Sequence, residues 1–208
     1  DLDYRTAFEP GHPTQLGPNT LGPFLHWLLF REPGVHVYLL KSNLRLLPAL
    51  DGFWFGVTPV ALVNQVTSRH IHFAVDGARP TGAVHHQKIV VVDDDVAFCG
   101  GIDLTVGRWD TRDHTPGDQR RTTSGEPYGP RHEVATAVDG AAARVLAEQA
   151  RQRWQTATGK SLPALAPAGS MWPNRLAPAL HDVEVGVART MPALPGRPEV
   201  REVDDDED

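Results

Sequence analysis

Apolar and polar positions along this chain follow two periods, and each stretch declares its element by the one it keeps. From Leu21 to Arg31, Leu25, Leu28 and Leu29 share one side at helical spacing. Pro23 falls in the first turn, where a missing N–H is harmless. Val35-His36-Val37-Tyr38-Leu39-Leu40 reads as a buried strand, Pro59 to Val66 as helical, and His70 to Val75 as an alternating strand. Lys88 to Val92 and Val96 to Cys99 predict a paired hairpin around Asp93-Asp94-Asp95, residue types that suit a turn. A further strand closes at Val138. Between Ala141 and Trp154, the positions Ala143, Leu146, Ala147, Ala150 and Trp154 repeat at helical spacing, with Asp139 as a candidate N-cap. Helices interleaved with strands predict an α/β domain, layered around a mixed sheet.

The intervening stretches are of two kinds. Gly107 to Arg131 is polar and interrupted by Pro116, Gly117, Gly125, Pro127, Gly129 and Pro130. So long a run without apolar periodicity predicts a functional loop overhanging the end of the preceding strand. Arg108, His114, Arg120 and Arg121 are its candidates for meeting a phosphate or an anionic lipid surface. For Arg120 and Arg121 the favoured reading is a solvated loop charge. After Thr158 the chain turns Pro- and Ala-rich, which predicts an extended connector with few core contacts. The expected division is therefore a domain over 1–158 and a connector over 159–208, ending in the solvated acidic run Asp204 to Asp208.

Composition narrows the picture further. A chain of 208 residues can bury one sizeable core. Its net charge of -6 argues against broad nonspecific binding to nucleic acid. The single cysteine, Cys99, excludes an internal disulfide and sits in an apolar strand, where an inert buried thiol is expected. No apolar run approaches the ~18 residues a bilayer span requires, so a soluble or peripheral membrane protein is expected, with the cytoplasm slightly favoured. The start at Asp1 suggests processing or a fragment. Phe53-Trp54-Phe55 is read as core packing in preference to lipid insertion. His70 and His72 share a strand face near Asp76, but no third ligand stands at metal-like spacing, so neither a metal nor a cofactor is expected.

The chemistry concentrates in His85-His86-Gln87-Lys88-Ile89-Val90-Val91-Val92-Asp93 and Ala97-Phe98-Cys99-Gly100-Gly101-Ile102-Asp103. Strand alternation turns His86 and Lys88 to one face, roughly 6–7 Å apart, and turns His85 to the other, where it reads as structural. A neutral imidazole can attack phosphorus and form a covalent intermediate. A lysine beside it supplies positive charge to the non-bridging oxygens of the transition state. Asp93 would orient a histidine or the lysine by a hydrogen bond. Gly100 and Gly101 would let the backbone approach a phosphate. None of these steps requires a metal.

The pattern His86-x-Lys88-(x)4-Asp93-(x)6-Gly100-Gly101-x-Asp103 resembles the HxKxxxxD signature of the phospholipase D superfamily, in the branch that carries Gly-Gly-Ile-Asp. Gly107-Arg108-Trp109-Asp110-Thr111 and Pro130-Arg131-His132-Glu133-Val134 resemble further segments of that branch, whose usual wording of the second is Pro-Trp-His-Asp-Val. Arg131 and Glu133 are departures from it. The resemblance implies the phospholipase D-like α/β/α sandwich, as one half of a pseudo-twofold pair. It implies His86, Lys88 and Asp93 as catalytic residues, with Gly100, Gly101, Asp103, Arg108 and His114 binding the phosphate. The implied reaction is hydrolysis of glycerophospholipids, or transfer of the phosphatidyl group, through a phosphohistidine.

Enzymes of this kind join two such motifs in one site. Here no histidine but His86 has a lysine two positions on. The favoured reading is an amino-terminal half whose second motif-bearing half lies elsewhere. The alternatives are a single-motif homodimeric phosphodiesterase or nuclease, with two copies pairing about a twofold axis, and a non-catalytic interaction fragment. Expected partners are a phospholipid or other phosphodiester, a second half or second copy, and a peripheral membrane surface.

Overall fold

A computed structural model describes residues 6–8, 17–42, 53–54, 58–59, 69–77, 85–166, 169 and 171–190. The chain runs α1 (Leu21–Arg31), β1 (Val37–Ser42), β2 (Phe53–Trp54), β3 (Thr58–Pro59), β4 (Ile71–Asp76), β5 (Lys88–Val92), β6 (Val96–Gly100), β7 (Thr122–Thr123), β8 (Glu126–Pro127), β9 (Ala135–Asp139) and α2 (Gly140–Thr158). This is an α/β arrangement. Its described strands group as a parallel pair β1–β4, an antiparallel triplet β5–β6–β9, and the short antiparallel pairs β2–β3 and β7–β8.

Alternation decides which layer each residue joins. On β4, Ile71 and Phe73 meet Leu21, Leu25 and Leu29 of α1 in one buried cluster. The intervening residues turn the other way, where Asp76 accepts hydrogen bonds from Arg153 of α2 at 2.9 and 3.2 Å. On the same side, Tyr38 of β1 meets Trp154 edge-on. The β1–β4 pair therefore has a helix on each face. The triplet buries Ala97, with Ile89, Val91, Cys99 and Val138 packed around it, against Ala143 and Leu146 of α2. A single long helix thus braces both sheets.

The hairpin turn follows expectation in place and adds a contact. Asp93 and Asp94 take left-handed backbone angles, with φ of 51° and 61°, a conformation short polar side chains tolerate. Asp94 Oδ2 accepts from Arg151 of α2 at 2.5 Å and from the Leu165 amide at 2.9 Å. Asp139 is the N-cap residue of α2, yet its side chain makes no capping hydrogen bond. Gly159 closes the helix in the left-handed region, its amide donating to the Gln155 carbonyl at 2.8 Å.

The connector after α2 differs from expectation. It has no helix or strand over its described residues, but it returns to the core instead of leaving it. Val187 packs against the cluster of Ala97, Ala143 and Leu146, and Arg189 donates to Gln152 Oε1 at 3.1 Å. An apolar side chain in a polar, Pro-rich run gains more from that groove than from water. The helix expected over 60–66, the Phe53-Trp54-Phe55 side chains and the acidic tail lie outside the described residues, while Thr58–Pro59 is a strand. Among the described residues no helix is long and apolar enough to cross a membrane.

Candidate functional site

The strand carrying the motif sorts its side chains by parity. His85 Nε2 stands 3.4 Å from Asp76 Oδ2, and Gln87 Oε1 accepts from Arg153 at 2.9 Å. Ile89 and Val91 continue on that side, toward α2. Lys88, Val90 and Val92, at alternate positions of β5, face away from α2, and Val90 and Val92 are each 42% exposed. His86 lies two residues before the strand and is exposed. An exposed histidine thus precedes a strand-borne lysine, and the neighbouring imidazole of His85 stands near an internal carboxylate without a hydrogen bond to it.

Lys88 is paired across the sheet with Gly100. Its Nζ lies 3.5 Å from Asp103 Oδ1, and Arg108 approaches the other oxygen of that carboxylate at 3.8 Å. Asp103, expected as a phosphate contact, is flanked by two cations. A carboxylate repels a phosphate and attracts its binders, so its position suits ordering the cations.

Gly100 and Gly101 are close-packed. A Cβ on Gly100 would stand 2.6 Å from Ala135 Cβ and 2.8 Å from its Cα, so the glycine lets β6 and β9 approach. A Cβ on Gly101 would collide with Oε2 of Glu133. The Gly101 amide donates to Val134 O at 3.3 Å, which brings the segment 132–134 alongside the end of the motif. The first glycine serves strand packing, and the second lies beneath an acidic side chain.

Asp93 does not join these groups. It sits in the turn beyond Val92, five residues along the strand from Lys88, about 16 Å at ~3.3 Å per residue. The extended strand that begins at Lys88 carries Asp93 away from it. In this structure its neighbourhood is the turn that docks on α2.

His114 belongs to a second cluster, centred on Asp110. Asp110 Oδ2 accepts from His114 Nδ1 at 2.8 Å and from the Arg131 amide at 2.7 Å. Asp110 Oδ1 accepts from the Thr111 amide at 2.8 Å and from Arg121 at 2.5 Å. Burial of Asp110 opposes ionisation, but the bonds from His114, the Arg131 and Thr111 amides and Arg121 outweigh it, holding the carboxyl well below its ordinary range. If His114 is neutral, donation through Nδ1 leaves its Nε2 as an acceptor, and His132 Nδ1 lies 2.9 Å away. The imidazole expected to meet phosphate is thus held between a carboxylate and a second imidazole.

This cluster also corrects the reading of the loop. Arg121, expected as a solvated charge, is 1% exposed; it donates to Asp110 and to Thr115 O, the latter at 2.5 Å. Arg120 pairs with Asp118 at 2.6 Å and stacks its guanidinium over Trp109, 4.9 Å from the ring centroid. These bonds bring Asp118 down to about 2. The loop 107–131 is therefore a cross-linked unit containing the β7–β8 hairpin. Asp110, His132 and Glu133 were given no individual role from sequence. The available signal was an unusual density of charge and imidazole in a stretch with few apolar residues to fold it.

Comparisons with known proteins agree with the motif. The family described as Phospholipase D matches residues 55–172, more than half of the chain. "Phospholipase D1" of Rattus norvegicus is 50% identical over 48 residues, 22% of this chain and 4% of that protein. The Homo sapiens protein of the same name gives the same identity and coverage. "Phospholipase D zeta 1" of Arabidopsis thaliana is 32% identical over 106 residues, 38% of this chain and 10% of that protein. The matched stretches span only a small part of these relatives.

Proposed function

The chain belongs to the phospholipase D family, and on that premise we propose that it supplies the His–Lys half of a phosphodiester-cleaving site. The observation that carries the reading is the exposed His86, two residues before Lys88 at the entry to β5. In the proposed step, an imidazole nitrogen of His86 attacks phosphorus and forms a P–N bond. The P–O bond to the leaving alcohol breaks, and that oxygen takes a proton from a general acid. Water or a second alcohol then attacks phosphorus, giving its proton to the conjugate base of that acid as the P–N bond breaks and frees His86, which completes hydrolysis or transfer. Lys88 and Arg108 face the developing charge on the non-bridging oxygens, and Asp103 holds both cations in place. The substrate class is a glycerophospholipid.

The general acid is the missing member. The proposed source is a second motif-bearing half, in a longer chain or in a second copy, joined to the catalytic half-domain within 1–158. The region 159–208 serves as a connector. In the proposed assembly, the described sheets are parts of a layered α/β/α sandwich, and the motif face looks toward the partner half at a membrane surface.

The test is to incubate the chain, alone and across a concentration series, with a phosphodiester lipid, quench rapidly and map phosphate by mass spectrometry. Acid-labile phosphate on His86, absent in His86→Ala, supports the reading. Phosphate on another residue, or turnover untouched by His86→Ala, defeats it. Labelling that rises with dimer mass identifies a second copy as the partner.

A further inference from the structure

Beside the loop that leaves Asp103 lies a cavity of about 250 Å³. Thr105, Thr122, Thr123, Ser124 and Tyr128, all hydroxyl-bearing, line it with Trp109, and among the described residues none that lines it carries a charge. The Tyr128 hydroxyl donates to the Trp109 carbonyl at 3.1 Å. The side-chain hydroxyls of Thr105, Thr122, Thr123 and Ser124 make no hydrogen bond to another described residue. Each can therefore both donate and accept toward whatever enters.

The walls are preformed. Thr122 and Thr123 pair with Glu126 and Pro127 in the β7–β8 hairpin. Its two turn residues, Ser124 and Gly125, lie at φ of 53° and 87°, as a tight two-residue hairpin turn requires. One face of Trp109 is backed by Arg120, whose guanidinium is itself held by Asp118. On the far side, Thr6 donates to the Leu104 carbonyl at 3.1 Å, which secures the strand-end segment. A rigid site binds a small ligand without first having to order its own walls.

We propose that this cavity binds a neutral polyol. Among the described lining residues an anion or a cation would find no opposite charge, and an apolar ligand would leave hydroxyl groups of the lining without partners. A polyol alternates hydroxyl and C–H groups, matching a ring of hydroxyls with one aromatic surface. The volume suits a single small molecule and lies below the usual range for drug-sized ligands. Thr105 is two residues beyond Asp103, which contacts Lys88, so a bound polyol sits on the segment that leads from the motif. That polyol is either the headgroup of a lipid or a free alcohol. This last assignment rests on the phosphodiesterase reading; the binding itself does not.

The probe is myo-inositol, with choline as a cationic control, observed by saturation-transfer NMR on the intact chain. Wild type is expected to show transfer to inositol at millimolar concentration and none to choline. Thr123→Val and Thr105→Val keep the side-chain shape and remove the hydroxyl. Each should lower inositol transfer at least about fivefold with an unchanged thermal melt; Trp109→Phe tests the aromatic wall. Co-sedimentation with phosphatidylinositol against phosphatidylcholine vesicles separates the two sources. A Thr123-dependent preference for the inositol lipid identifies a headgroup, and binding of free inositol alone identifies a free alcohol. Equal transfer to choline and inositol, or transfer insensitive to both threonine variants, overturns the proposal. Failure to find phosphate on His86 leaves this result untouched, so the two readings fail separately.

Discussion

Lys88 Nζ stands 3.5 Å from Asp103 Oδ1, with the two side chains 13% and 18% exposed. The lysine is held by an internal carboxylate fifteen residues away in the chain. Arg108 leans on the same carboxylate at 3.8 Å. One negative charge therefore orders two positive ones, and also competes with any anion that approaches them.

Asp103→Asn should strengthen the binding of inorganic phosphate. Removing a unit charge near 4 Å from the cations is worth about 1 kcal/mol in a water-like dielectric, roughly fivefold in affinity. Isothermal titration with phosphate at low ionic strength reads the change. Unaltered or weaker binding would show that Asp103 does not restrain the cations.

Gly101→Ala should destabilise the fold by less than about 1 kcal/mol, because its methyl group meets only the carboxylate end of the exposed Glu133 side chain, which can swing aside. Glu133→Ala in the same chain should recover most of the loss, since it removes the atoms in conflict. Urea denaturation of both single variants and the double variant gives the coupling. Strictly additive losses would mean that the Glu133 side chain is elsewhere in solution.

Asp110→Asn should loosen both ends of the 111–131 loop together. The amide retains one acceptor oxygen where the carboxylate offered two to the Thr111 and Arg131 amides, His114 and Arg121. Hydrogen exchange at Thr111 and Arg131 should rise by roughly 5- to 10-fold, while the β5–β6 amides stay protected. Because the folded-state pKa of Asp110 is depressed, its contribution is fully present above the ordinary carboxylate range. It is lost only as the pH falls through the lowered value. Loop protection in the wild type should therefore survive mild acid.

His72 supplies a pH signature of the same sign in a higher interval. Burial lowers its pKa, followed by the charges of His36, His70 and Lys160. The unfolded chain then takes up this proton at a higher pH than the folded chain. Stability due to His72 is intact above the ordinary value of 6.5 and declines as the pH falls from there toward the lowered value. His72→Gln should flatten the dependence of thermal midpoint on pH across that interval. An unchanged slope would assign the acid sensitivity to other groups.

Much of this molecule was legible from local pattern. Helical spacing located Leu21–Arg31 and placed the face of the second helix. Period-two alternation set Lys88 on the opposite side of its strand from Ile89 and Val91. These follow from a residue and its near neighbours, because backbone periodicity fixes side-chain direction within a few positions. The same periodicity carries Asp93 out of reach of Lys88, although the motif spacing groups them as one signature.

Only the tertiary structure decided which partners the charges took. Asp103 meets Lys88 because β5 and β6 pair in one register. Arg121 is buried because Asp110 and Thr115 O come to it from other parts of the loop. Val187 returns to the helix core from a connector with no periodicity of its own. A polar or isolated residue carries no period to reveal its partner. Its place depends on which distant group the fold leaves unsatisfied, and that is set only when the strands have paired and the loop has closed.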